Sequence, residues 1–259
     1  MGFRLGADAI AAGYRLTVHD AIDSTNNAAR DAGRAGDPGR HWFVTTRQTG
    51  GRGRRGRAWI APDGNLAASL LIPTALPPVR AATLGFVAGL ALIEALDGFF
   101  PVGSERLKLK WPNDVLLDGG KLVGILLEAE RIADGSLNVV IGIGVNVVAA
   151  PADLPYLATA LVPAGARASA ESVFERLSTS WAKLYQVWDE GRGLAPLLAA
   201  WRQRAAGVGQ PIRVVLGDET IEGIFETIDT QGCLVLTNAA GARRTIAAGD
   251  VQLDAHMGA

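Results

Sequence analysis

The chain has 259 residues, 49% of them hydrophobic, with 25 basic against 26 acidic residues and a formal net charge of −1. That length can bury a large core, as one large domain or a large one with a small one, and the near-neutral charge excludes a global field drawing it to nucleic acid or a membrane surface. A single cysteine, Cys233, excludes an internal disulfide framework and a cysteine-based zinc cluster, and it fits a reducing cytoplasm.

Residues 1–22 lack the basic-then-apolar pattern of a secretory leader. Ser24 is a good N-cap and predicts a short helix over 26–34. A strand-like run, 42–46, leads into Gly50-Gly51-Arg52-Gly53-Arg54-Arg55-Gly56-Arg57, with four arginines and four glycines. No acid lies between Asp37 and Asp63, so nothing nearby in sequence neutralises them. Unpaired buried charge is too costly for a core, glycines let backbone approach a ligand, and guanidiniums fork onto carboxylate or phosphate oxygens. This loop is built to meet an anion. Mutual repulsion and glycine entropy predict that residues 50–58 are mobile until an anion arrives. Trp59 follows directly, as either a stacking lid or an ordinary core anchor.

Residues 66–72 read as a strand and 79–98 as a long apolar helix. Its most apolar part, 84–96, is shorter than a membrane span and holds Glu94, so no membrane partner is expected. Strands follow over 106–111, 114–118, 122–130 and 137–147, broken by Trp-Pro-Asn and Asp-Gly-Gly turns. Only four lysines occur in the chain, and three of them, Lys108, Lys110 and Lys121, cluster here beside Asn113 and Asp114. They form either a site for compact point charges or a solvated face. Gly142-Ile143-Gly144-Val145-Asn146 lacks the third glycine of a dinucleotide fingerprint; its glycines mark either ligand approach or close strand packing.

An Ala/Pro-rich connection at 149–168 is expected to be exposed. Helices over 171–190 and 194–205 precede short strands at 212–216, 220–227, 234–237 and 243–246, which suggest an appended small β-barrel. The fold class is α+β with helices on one side of the sheet, and the domains are 1–207 and 208–259. Cys233 sits in an apolar strand-like run and is read as a buried structural thiol. His19, His41 and His256 lack metal-ligand spacing and are read as structural or solvated. No nucleophile elbow, Walker loop or His-Glu-x-x-His motif is present.

The ordered set Asp23-Ser24-Thr25-Asn26-Asn27, Gln48 to Trp59, Lys110-Trp111-Pro112-Asn113-Asp114, Lys121-Leu122-Val123-Gly124-Ile125-Leu126-Leu127-Glu128 and Gly142 to Asn146 resembles the bacterial biotin protein ligases, from about residue 14 to 254. The resemblance implies a mixed-sheet catalytic domain of the biotin/lipoate ligase type with an SH3-like C-terminal barrel. It also implies activation of biotin by MgATP to biotinyl-5′-AMP, then transfer to a lysine of the biotin carboxyl carrier protein of acetyl-CoA carboxylase. ATP and Mg²⁺ would be substrate and activating ion, with no tightly bound cofactor.

By that resemblance Ser24, Thr25, Asn26 and Gln48 orient the biotin ureido ring. Gly51, Arg52, Gly53, Arg54, Lys121, Gly124, Gly142 and Gly144 complete the biotin site. Arg54, Arg57, Trp59, Lys110, Asn113, Asp114 and Asn146 serve ATP, with Asp114 reaching Mg²⁺ through the nucleotide. Lys121 and Arg54 act on the reacting oxygens, because two repelling anions need cations to hold them together. Ala58 stands where many relatives carry lysine. Only about 13 residues precede the matching part, so a form without the DNA-binding domain, and no DNA partner, is expected. A homodimer is left open. The rival reading is a lipoate or octanoate ligase or transferase, against which Gln48 and the Ser-Thr-Asn set favour a polar ring. A nucleic-acid-binding reading of the Arg-Gly loop fails on charge and on the lack of interleaved aromatics.

Overall fold

Side-chain alternation decides which face of the main sheet each residue serves. In β2 (His41–Thr45), Trp42 and Val44 enter the large core, while Phe43 joins a separate small cluster with Ala29, Leu71 and Val140 on the opposite face. The computed structural model describes residues 2–152 and 154–253; His256 lies outside them.

After α1 (Ala7–Ala11), the seven-stranded sheet contains β1 (Arg15–Val18), β2, β3 (Leu66–Thr74), β4 (Leu107–Lys110), β5 (Asp114–Leu117), β6 (Gly120–Arg131) and β7 (Leu137–Val145). The strand order is β1-β2-β3-β7-β6-β5-β4, parallel between β1 and β2 and antiparallel elsewhere. The mixed sheet expected from the sequence is therefore present. On the large-core face lie α4 (Leu84–Asp97) and α5 (Ala170–Trp188), packed on each other and on the sheet. Leu84, Leu92 and Leu96 are fully buried, and such side chains each contribute about 1.5–3 kcal/mol. Trp42 packs edge-on against Phe174 and Trp181.

Several expectations change. Helices do not keep to one side: α2 (Thr25–Arg34) covers the opposite face, over β2, β3 and β7. The stretch read as one helix over 79–98 is α3 (Pro78–Ala81) followed by α4. At the junction Thr83 Oγ1 donates to Arg80 O (2.6 Å) and accepts from Trp188 Nε1 (2.8 Å). Taken together, Pro78–Asp97 has the length and apolar composition of a membrane span, with 72% of its apolar window buried in the fold. The connection after β7 is not simply exposed: Ala160, Leu161 and Ala166 are buried. Thr159 N and Lys121 O, and Lys121 N and Leu157 O, pair this segment with the start of β6. Cys233 is only partly buried.

Past α6 (Leu194–Gln203), five antiparallel strands form a second sheet: β8 (Pro211–Leu216), β9 (Glu219–Ile228), β10 (Leu234–Thr237), β11 (Arg243–Ile246) and β12 (Asp250–Leu253), in the order β11-β10-β9-β8-β12. Four of these are the strands read from sequence; β12 is additional. Backbone bonds tie β4 to the chain beyond α6, Leu109 N to Arg204 O (2.7 Å) and Ala206 N to Leu109 O (2.8 Å). Trp111 Nε1 donates to Gly232 O of the second sheet (3.0 Å). The Lys110–Asp114 turn thus sits where the two sheets meet.

Candidate active site

Ser24 is extended and its Oγ accepts from Asn27 N (3.4 Å), capping α2 as its sequence predicts. The cap aims Thr25 and Asn26, both buried, at the centre of the sheet. There Ser69 of β3 lies opposite Gly142 of β7, with its Oγ 2.7 Å from Thr25 Oγ1 and 2.5 Å from Asn26 Oδ1. Asn26 Nδ2 donates to Glu128 Oε2 (2.7 Å). An ionised carboxylate only accepts, so Glu128 fixes which way the Asn26 amide points. Gln48 Oε1 accepts from Thr25 N (2.9 Å) and Thr25 Oγ1 (3.1 Å). The result is a wall of hydroxyls and amides.

The strand glycines make room on this same face. Gly124 and Gly144 are register partners on β6 and β7. A Cβ at Gly124 would stand 2.8 Å from Trp59 Cζ3, one at Gly144 would overlap the indole, and one at Gly142 would overlap the Asn26 amide. Both alternatives open in the sequence are thereby narrowed: the glycines admit Trp59 and Asn26 to the sheet. Trp59 N donates to Gly51 O (2.9 Å), which closes the base of the arginine loop beneath the ring. Lys121 Nζ stands 5.7 Å from the centre of the Trp59 ring and 5.5 Å from that of Tyr156.

The loop itself is not without acids. Arg52 Nη2 donates to Asn27 Oδ1 (2.9 Å) and lies 3.5 Å from Glu128 Oε1. Arg54, Arg55 and Arg57 all reach Asp250 of β12, at 3.4, 3.3 and 2.6 Å. The expectation that nothing offsets their repulsion until an anion arrives is therefore corrected; the counter-charges lie far away in sequence. Arg54 Nη1 also donates to Gly249 O (3.0 Å) and lies 3.4 Å from Asn113 Oδ1. Gly53 N donates to Arg57 O (2.7 Å).

Across from the loop Lys121 Nζ pairs with Asp114 Oδ1 at 2.8 Å. Burial pushes the Lys110 ammonium below the usual lysine range, while Asp114 acts in the opposite direction and Lys121 adds to the shift. Burial likewise lowers Arg54, opposed by Asp250. Asn113 Nδ2 donates to Ile125 O (2.6 Å), which locks the β4–β5 turn onto β6. Among the described residues the structure thus gathers Arg54, Arg55, Arg57, Lys110 and Lys121 around Asp114 and Asp250, an excess of cations suited to a polyanion.

Asn146 departs from this convergence. Its Nδ2 is directed at Thr159 O (3.1 Å) and Lys121 O (3.4 Å), bracing backbone around Lys121. Residues of the arrangement without an assigned role from sequence include Ser69, Glu128 and Asp250, along with Asn27, Arg55 and Tyr156. Ser69 had a usable signal, as the one hydroxyl in the buried run Leu66–Ile72. Among the described residues no group of three His, Cys, Asp or Glu side chains could hold a metal.

The polar wall and the cation cluster meet at one loop. The Biotin/lipoate A/B protein ligase family matches residues 18–146, and the Biotin protein ligase C terminal domain matches residues 207–254. The Biotin--[acetyl-CoA-carboxylase] ligase of Paracoccus denitrificans is 40% identical over 236 residues, covering 88% of this chain and 96% of that one. The Biotin--[acetyl-CoA-carboxylase] ligase of Mycobacterium tuberculosis is 36% identical, covering 81% and 77%. The solved structure of biotin protein ligase from Aquifex aeolicus in complex with biotin and ATP superposes with a TM-score of 0.74 at 25% identity, covering 92% of this chain and 98% of that one. The chain belongs to the biotin/lipoate A/B protein ligase family, on its biotin protein ligase branch.

Proposed function

We propose that this ligase joins biotin to ATP, giving biotinyl-5′-AMP and pyrophosphate, and then passes biotin to a lysine amine of the biotin carboxyl carrier protein of acetyl-CoA carboxylase. The observation that carries the reading is the Arg52–Arg57 loop, with a hydroxyl-and-amide wall at one end and a cation cluster at the other. A neutral urea ring needs the mixed donors and acceptors of Thr25, Asn26 and Gln48. Ser24 shapes this wall by capping α2, and Gly51, Gly124, Gly142 and Gly144 let it close. The triphosphate needs Arg54, Arg57, Lys110 and Lys121, with Asn113 holding the turn and Asn146 bracing Lys121. Arg52 and Arg54 would hold carboxylate and α-phosphate, Lys121 would steady the charge that develops between them, and Trp59 would lie between ring and base. Mg²⁺ would enter on ATP near Asp114.

We place the division between the catalytic and C-terminal units near residue 207. The proposed setting is the cytoplasm, without a DNA partner, as the net charge of −1 suggests. The open edge of β1 is where a second copy could add to the sheet. The test is biotin-dependent pyrophosphate release, with lipoate as the competing acid, followed by mass analysis of the carrier. Biotin should drive release and add one biotinyl group. Release driven by lipoate and not by biotin would overturn the reading.

A further inference from the structure

Three consecutive cations of one loop converge on one carboxylate of the other sheet. Asp250 Oδ1 lies 3.4 Å from Arg54 Nη1, and Oδ2 lies 3.3 Å from Arg55 Nη1 and 2.6 Å from Arg57 Nη2. The backbone around Asp250 takes part: Gly249 O accepts from Arg54 and Val215 O, on the paired strand β8, accepts from Arg55 (3.4 Å). Arg52 shares none of these partners; it is held by Asn27 of α2 and Glu128 of β6.

Resting on the reading above, we propose that Asp250 is a positioning residue for ATP: it assembles Arg54, Arg55 and Arg57 into a phosphate site before nucleotide arrives. Three like charges on neighbouring residues repel, and Arg55 is held with φ at +56°, a left-handed conformation that a non-glycine residue adopts only under constraint. One carboxylate offsets part of the repulsion and leaves an excess of two positive charges, so the cluster is gathered yet still attractive to a polyanion. Without Asp250 the guanidiniums spread apart, and the triphosphate has to gather them as it binds. That penalty falls on ATP. It does not fall on biotin, whose wall and Arg52 are fixed by other residues.

The test compares Asp250→Asn, Asp250→Glu and the parent protein in biotin-dependent pyrophosphate release. In Asp250→Asn the KM for ATP should rise about tenfold, while the KM for biotin and the kcat at saturating ATP change by less than about threefold. Asp250→Glu should recover most of the loss, since it restores the charge. Trypsin should cleave the free Asn variant after Arg54, Arg55 and Arg57 faster than the parent, relative to cleavage after Arg52. Should thermal melting show that Asn unsettles the fold, Asp250→Ser carries the same comparison. An unchanged KM for ATP in a folded variant overturns the proposal. A lowered KM also overturns it, because Asp250 would then be competing with phosphate for the arginines. A parent protein that releases no pyrophosphate with biotin defeats the functional reading itself, and this proposal with it.

Discussion

Arg52 and Arg57 share one short loop and the same chemistry, yet they answer to different sheets. Arg52 is held by Asn27 and Glu128 beside the polar wall of the seven-stranded sheet. Arg57 is held by Asp250 on the last strand of the five-stranded sheet. Six residues of chain, Arg52 to Arg57, therefore bridge two environments, one suited to a neutral ring with a carboxylate and the other to a triphosphate. The difference shows that an arginine's role here depends on which carboxylate fixes it, because an unpaired guanidinium has too many conformations to be a precise ligand. On the proposal made for Asp250, it also gives the C-terminal sheet a part in assembling the nucleotide side of the site.

The largest effect should come from the residue at the junction of the two halves. Lys121 stands near the Trp59 ring on one side and pairs with Asp114 on the other. Lys121→Ala should lower single-turnover biotinyl-AMP formation at least roughly a hundredfold, the scale of a lost electrostatic stabiliser. Near-normal adenylation in that variant would mean that the halves meet without it. Next in size is Gly144→Ala. Its Cβ would overlap the Trp59 indole, and relieving such crowding costs about 1–3 kcal/mol. Because Trp59 closes the base of the loop, both halves should suffer: the KM for biotin and the KM for ATP rise together and the tryptophan fluorescence shifts. A rise in one KM alone would show that the ring serves only that half.

The two halves were unequally legible in the sequence. The Ser24 cap, the arginine loop and the buried glycines could be read locally, because capping, charge density and chain flexibility act over a few residues. The ordered motifs then pointed to the ligase fold and its ligand classes. What stayed hidden was partnership. Asp250 lies in a short strand that the sequence pattern did not mark, and no local rule pairs it with arginines nearly 200 positions earlier. Glu128 stood inside a quoted motif without a role, because its use depends on β6 pairing beside β7, within reach of Asn26. The side of the sheet taken by α2 was also hidden: Ala28, Ala29 and Ala32 form an apolar stripe, but only the register of β2, β3 and β7 shows which face they cover.

Glu128 offers the sharpest separation of the halves, at a smaller magnitude. Glu128→Gln keeps the size of the side chain but removes the charge facing Arg52 and lets the Asn26 amide turn over. The KM for biotin should rise about tenfold, the cost of one misdirected charge-assisted hydrogen bond, while the KM for ATP stays within about twofold. This is the mirror image of the result expected at Asp250. Equal losses for both substrates would erase the distinction between the halves.

The smallest effect is a pH dependence confined to the nucleotide half. Burial, opposed by Asp114 and reinforced by Lys121, holds Lys110 below the usual lysine range. Its charged form is thus disfavoured in the free fold and favoured again when phosphate arrives. As pH rises from neutrality toward the ordinary lysine pKa of about 10.4, Lys110 loses its proton before an unperturbed lysine would, and the KM for ATP should climb a few-fold. The KM for biotin should not follow, since Thr25, Asn26 and Gln48 of the polar wall carry no ionisable group. Stability moves the other way. The unfolded chain binds more protons than the fold at this residue, so its contribution to stability increases with pH across that interval. A weaker grip on ATP in a protein that is no less stable separates this effect from alkaline unfolding. Lys110→Arg keeps the charge throughout, and its KM for ATP should stay flat over the same range. A parallel climb in that variant would place the titrating group elsewhere.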